Sequence, residues 1–120
     1  MKSIFNRAFF GKSNCLKFIL NSKQEVYIHL GLNKGDVWNW KKVKFNDDEL
    51  GGILNFFEQK LESISFFHDF KGDKTQIFIN RKNDFVFFRI GEFTKSLSLN
   101  EQVVLRELIR HSIVRMNMNL

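Results

Sequence analysis

Aromatic side chains interleaved with lysines on short alternating segments are the residues here best suited to do chemistry, and that chemistry is recognition. Residues 37–45, VWNWKKVKF, set Trp38 and Trp40 two apart and just ahead of Lys42 and Lys44. On a regular strand these four share one face. Val26, Ile28, Leu30 and Leu32 alternate with Tyr27 and His29, so both rings fall opposite an apolar face. Further on, Phe78 sits among Lys74, Gln76, Asn80 and Lys82. A ring on the polar face of a strand offers a surface on which a nucleobase stacks, worth about 1–3 kcal/mol per base. Lysines beside it neutralise phosphates and release counterions. The candidate binding residues are therefore Tyr27, His29, Trp38, Trp40, Lys42, Lys44, Lys74, Phe78, Asn80 and Lys82. For the two tryptophans a second arrangement is open. A bulge near Lys41 would bring them into phase with Val43 and Phe45 on the core face and turn Lys41, Lys42 and Lys44 outward.

Catalytic constellations are not visible in the same residues. His29, His68 and His111 are the three histidines, and no H-x-x-x-H spacing joins them. His68 and Asp69 are neighbours on a predicted strand and so point to opposite faces. There is no glycine-rich phosphate loop after a strand and no nucleophile elbow. The acidic run Asp47, Asp48, Glu49 suits the positive end of a helix better than a metal. Cys15 is the only cysteine, which excludes an intrachain disulfide and a cysteine-based metal site. The expectation is a non-enzyme with no cofactor and no metal. Arg106, Arg110, His111 and Arg115 form a stripe near the C-terminus, read either as phosphate contacts or as cations suited to a helix C-terminal end.

These residues must be held by a small core. A chain of 120 residues with 43% hydrophobic and 27% charged residues has the balance of one folded domain, 1–120. It carries 15 Phe, no Pro and a formal charge of +6, a surplus that attracts polyanions if it gathers on one face. One cysteine fits a reducing compartment, and the expected address is cytoplasmic. Residues 1–12, basic and without acids, read as a first strand or helix or as a weak transit segment. No apolar run approaches the ~20 residues that span a bilayer.

Periodicity supplies the elements. Leu16, Phe18 and Leu20 alternate, then residues 26–32, then residues 37–45, with turns at 21–24 and 33–36. The period then lengthens: Asn46 is an N-cap, and Leu50, Ile53, Leu54, Phe57 and Leu61 form a helical stripe, with Gly51 and Gly52 hinting at close packing near its start. The plan repeats. Ile64, Phe66, His68 and Phe70 alternate, then Thr75, Ile77 and Ile79, then residues 85–90, then Phe93, Lys95 and Leu97. Ser98 and Glu101 make a capping box, with Asn100 as the alternative cap, and Val104, Leu105, Leu108, Ile109 and Ile113 give the last helix its apolar face. Residues 116–120 form a tail. The predicted fold is α+β, two sheet-then-helix pseudo-repeats at about 15–61 and 64–117 with antiparallel sheets packed on two helices. KVKFNDDEL (42–50) lies on SLSLNEQVV (96–104), and residues 26–29 lie on 77–80, which matches Tyr27 with Phe78.

In this order of elements, and in the paired segments VKFNDDEL and LSLNEQVV, residues 15–114 resemble the whirly-like group. That group includes the plant whirly proteins, the guide-RNA-binding proteins of kinetoplastid mitochondria, PUR repeats and archaeal single-stranded DNA-binding proteins of the ThermoDBP type. The resemblance implies two antiparallel sheets on two helices, single-stranded nucleic acid bound across or between the sheets, and a homo-oligomer. The expected function is binding of single-stranded nucleic acid, DNA ahead of RNA, with little base specificity. Two rivals stand beside it: an assembly module that packs its last helix and residues 113–120 on a partner, and a small nucleic-acid-processing enzyme.

Overall fold

Two alternating-then-helical units make up the chain. In the first, strands β1 (Ser3–Phe10), β2 (Asn14–Asn21), β3 (Val26–Lys34) and β4 (Val37–Phe45) precede helix α1 (Asp47–Glu58). In the second, β5 (Ser63–Phe70), β6 (Asp73–Lys82), β7 (Phe85–Ile90) and β8 (Phe93–Leu97) precede helix α2 (Leu99–Met116). The computed structural model describes residues 2–118; Met1 and the end of the expected tail, Asn119 and Leu120, lie outside them. Each set of four strands forms one antiparallel sheet in chain order, β1-β2-β3-β4 and β5-β6-β7-β8. The fold is α+β, as the periodicity predicts. β1 adds a strand ahead of residue 15, so each unit holds four strands.

Local chemistry explains the boundaries. β3 and β4 are joined by Gly35-Asp36, and β5 and β6 by Lys71-Gly72, all four residues at positive φ. That is the two-residue hairpin geometry whose twist matches the flanking strands. Both helices start in a capping box. The Asn46 side chain accepts from the Glu49 N–H at 2.7 Å while Glu49 accepts from the Asn46 N–H at 3.0 Å. Ser98 and Glu101 do the same at 3.3 and 3.0 Å, and Asn100 lies inside the helix. α1 ends sooner than its apolar stripe predicts. Lys60 turns left-handed, the Leu61 N–H donates to the Phe56 carbonyl at 3.0 Å, and the Lys60 N–H donates to Phe57 at 3.3 Å. This is a Schellman stop, and it leaves Leu61 exposed while Phe56 enters the core. Of the two glycines, only Gly52 faces the sheet, where a Cβ would lie 3.5 Å from Ile64 and Phe66; Gly51 faces open space.

One hydrophobic cluster runs through both units. Leu16, Phe18, Val26, Ile28, Val43 and Phe45 of the first sheet meet Ile77, Ile79, Val86, Phe88 and Leu97 of the second and Leu50, Ile53, Phe56, Leu105 and Ile109 of the helices. β8 packs against β2 and β3, and α1 against α2. Burial of this size is the main favourable term in folding, at ~25 cal/mol per Å² of apolar surface. Polar ties complete it: Arg110 reaches Glu58 across the helices at 2.6 Å. The Arg81 guanidinium carbon lies 5.1 Å from the Phe56 ring centre, and its Nε donates to the Leu61 carbonyl at 3.3 Å.

The internal repeat is real in plan but its register differs from the sequence match. The caps superpose Asn46 on Ser98 and Glu49 on Glu101, so residues 42–50 correspond to 94–102 rather than 96–104. Val43 then corresponds to Lys95, whose buried ammonium donates to the Ser96 carbonyl. Upstream, Val26 pairs with Phe45 as Val86 pairs with Leu97. Tyr27 therefore corresponds in place to Phe87, and His29 to Arg89. Phe78, opposite Arg89, corresponds to Lys17, opposite His29. The match of Tyr27 with Phe78 is corrected because a similar alternation on second and third strands gives no register of its own.

Gln102 is buried and donates through Nε2 to the carbonyls of Asp84 at 2.8 Å and Leu97 at 3.0 Å. It ties α2 to β8 and to the β6–β7 turn. Gln102→Leu leaves both carbonyls without this donor, and urea unfolding is expected to show a loss of about 2 kcal/mol.

Candidate nucleic-acid interface

Because the helices and the facing sheet cover one side of each sheet, alternation sends the other side outward. On the first sheet the pairing lays this face out in rows. One row runs Phe10–Cys15–Gly31–Trp40, the next Ala8–Lys17–His29–Lys42, the next Asn6–Ile19–Tyr27–Lys44, with Trp38 beside Asn33 at the near end. The β3–β4 register is unbroken from Val26↔Phe45 to Lys34↔Val37, so no bulge forms at Lys41. Trp38 and Trp40 stand on the outward face with Lys42 and Lys44, each half-buried, while Val43 and Phe45 fill the core. Lys41 is at an inward register position, on the edge strand.

The rings touch in sequence across the face. Phe10, 65% exposed, meets Trp38 edge-on at 6.3 Å between centroids. Trp38 stacks on Trp40 at 5.6 Å and 21°. Trp40 meets His29 at 6.5 Å, and His29 meets Tyr27 at 6.2 Å. The Lys17 ammonium lies 4.4 Å from the Trp40 ring centre, a cation–π contact. Trp40 lies against the backbone of Gly31, where a Cβ would meet the indole at 2.6 Å. Gly31 thus gives the indole its seat. Burial, with Lys42 and Lys17 on either side, pushes the His29 imidazole down to about 4, so it is neutral at pH 7. Lys44 donates to Glu25 at 2.8 Å, which raises the lysine and lowers the carboxyl. None of β1–β4 contains an acidic residue.

The second sheet carries a sparser version. Lys74, Gln76, Phe78, Asn80 and Lys82 occupy the outward side of β6, opposite the buried Ile77 and Ile79. Arg89, from β7, lies 4.4 Å from the Phe78 ring centre. All ten expected residues thus lie on outward faces, six on one sheet and four on the other. A groove of about 720 Å³ lies where the β4 edge approaches β5 and β6, lined by Tyr27, Lys41, Lys42, Lys44, Phe67 and Phe70 among others. His68 closes it on one side, paired with Glu49 at 2.5 Å, and not with Asp69.

Sequence reasoning missed Phe10, Lys17, Gly31, Phe67, Phe70 and Arg89. Lys17 alternates with Leu16 and Phe18, which is a signal; the cross-strand partners of Gly31 and Arg89 become visible only with the register. Phe67 and Phe70 are 58% and 72% exposed, which their alternation does not announce. The C-terminal cations are spent on packing: Arg110 binds Glu58 and Glu107, Arg106 lies 5.9 Å from the Phe57 ring centre, and His111 meets Phe5 edge-on at 5.2 Å. Burial raises the Cys15 thiol, which suits a packing residue rather than a nucleophile. Among the described residues, no three His, Cys, Asp or Glu side chains come together as metal ligands. No described helix is long and apolar enough to cross a membrane.

Two outcomes follow from this packing. Gly31→Ala forces Trp40 off its seat, and the expected result is a loss of about 1–3 kcal/mol in urea unfolding with a shift in tryptophan emission. His29, at about 4 in the folded chain against 6.5 unfolded, takes its proton first in the unfolded state. Stability from this group is full above pH 6.5 and is lost as pH falls through 4. Thermal melts across that window are expected to fall less steeply for His29→Gln than for the native chain.

No family model matches the chain, and no curated protein matches it. Among solved structures the chain is similar to Trypanosoma bruciei MRP1/MRP2, with a TM-score of 0.58 and 11% identity over 92% of this chain and 83% of that one. A likeness at that identity supports the fold alone.

Proposed function

We propose that this protein binds single-stranded nucleic acid on the outward faces of its sheets, with low base specificity and without catalysis or a cofactor. The observation that carries the reading is the run Phe10–Trp38–Trp40–His29–Tyr27 set beside Lys17, Lys42 and Lys44 on a sheet whose strands contain no acid. Unpaired bases stack on exposed ring faces, which bases inside a duplex cannot do. Lysines at register positions beside the rings meet the phosphates that those bases carry. His29, neutral at pH 7, adds a ring rather than a charge. DNA and RNA both satisfy this chemistry, with DNA the first to test.

A second reading, an assembly module, draws on α2. Leu99, Val103 and Val114 are 55%, 47% and 58% exposed along it, an apolar stripe that a second copy would cover. The two readings are compatible if a homo-oligomer presents several sheet faces to one strand.

Fluorescence anisotropy with a labelled oligo(dT) of roughly 20 nucleotides tests the reading. The expected result is micromolar or tighter binding that weakens steeply with salt, and poor competition by duplex of the same length. Trp38→Ala is expected to weaken binding by about 1–3 kcal/mol, and Lys42→Ala to reduce the salt slope by about 0.7. Tyr27→Ala with Phe78→Ala is expected to weaken binding with the thermal midpoint nearly unchanged. No binding at low salt, or binding indifferent to salt, rejects the reading, and self-association without binding favours the second.

A further inference from the structure

A second hollow lies on the other sheet, of about 430 Å³, within the ~300–1,000 Å³ range of small-ligand sites. Three cations from three strands line it: Lys41 of β4, Lys74 of β6 and Arg89 of β7. Phe78 and Phe93 supply the apolar wall, and Gln76, Thr75 and the Gly91-Glu92 turn the rest. Glu92 is the acid in the lining, and its carboxylate is held by Lys34 at 3.2 Å. Lys41 and Thr75 also line the groove that contains Tyr27, Lys42 and Lys44. The two hollows therefore share a wall. Lys41, inward in register but on an edge strand, stands where one sheet's surface passes into the other's.

Resting on the reading above, we propose that this hollow is a nucleotide subsite. It takes one phosphate of the bound strand between Lys41, Lys74 and Arg89, with its base against Phe78 or Phe93. The strand thereby crosses from the first sheet to the second within a single protomer. Arg89 is suited to this because its planar guanidinium binds phosphate through two donors, whereas lysine acts as a point charge. Phosphates on the first sheet's rows and in this hollow then belong to one continuous track. A strand too short to reach the hollow gains nothing from it.

The chain's two tryptophans both lie on the first sheet's outward face, so quenching of their emission reports occupancy of that face. Oligo(dT) of roughly 6 and roughly 20 nucleotides is titrated into the native chain and into Lys41→Ala/Arg89→Ala. In the native chain the longer strand is expected to bind at least tenfold tighter than the shorter. In the double variant the shorter strand binds within about twofold of native, while the longer one loses most of its advantage, and its salt slope falls by about 1.4, at ~0.7 per phosphate contact. Quenching with an undiminished length advantage in the variant overturns the subsite and leaves the sheet-face reading intact. Absence of quenching in the native chain by either strand overturns both. Far-ultraviolet circular dichroism and the thermal midpoint confirm that the variant is folded, and Lys74→Ala provides a second variant with the same expectation, since Lys74 is fully on the surface.

Discussion

Val43 and Phe45 are buried opposite Ile28 and Val26, and the ladder from there to Trp38 contains no bulge. Everything proposed for the surface depends on that unbroken register. With a period of two, anchoring one side of β4 in the core fixes Trp38, Trp40, Lys42 and Lys44 on the other. A single inserted residue at Lys41 would reverse the assignment of both indoles. Gly31 supports the same arrangement from β3, because only a residue without a Cβ lets the Trp40 ring lie flat across the strand.

Charge follows the same division. The first sheet's strands hold lysines and no acids, whereas Asp47, Asp48 and Glu49 gather at the start of α1, where the helix dipole favours them. The C-terminal arginines face carboxylates or rings of the neighbouring helix. The formal surplus of +6 is thus distributed by structural need on the helical side and left unneutralised on the outward sheet face, apart from the Lys44–Glu25 pair. A polyanion approaching the molecule meets cations and rings together there, and a neutral His29 keeps the centre of the face suited to stacking at physiological pH.

Much of this was legible in the sequence. Clean alternation in residues 26–32 identified Tyr27 and His29 as outward, and Asn46 and Ser98 announced both helices. The phase of Trp38 and Trp40 was not settled by pattern, since Val43 and Phe45 lie on the opposite parity and either a straight or a bulged strand fits the string. The repeat was visible but misregistered, because Phe45 and Asn46 match Leu99 and Asn100 by residue type while the capping hydrogen bonds superpose Asn46 on Ser98. Cross-strand neighbours such as Lys17 beside His29, or Arg89 beside Phe78, depend on pairing between segments and have no local signature. Lys41 was the least legible: its inward parity marks it for the core, and only its place on an edge strand lets it line two surface hollows.

The most direct test uses the two indole N–H signals of the chain in a nitrogen-15 correlation spectrum, recorded as a short oligo(dT) is added. The account predicts that both indole resonances and the backbone amides of β3 and β4 shift together, while amides along α2 stay in place. Shifts confined to α2, or indoles that do not respond while the oligonucleotide binds, would contradict it.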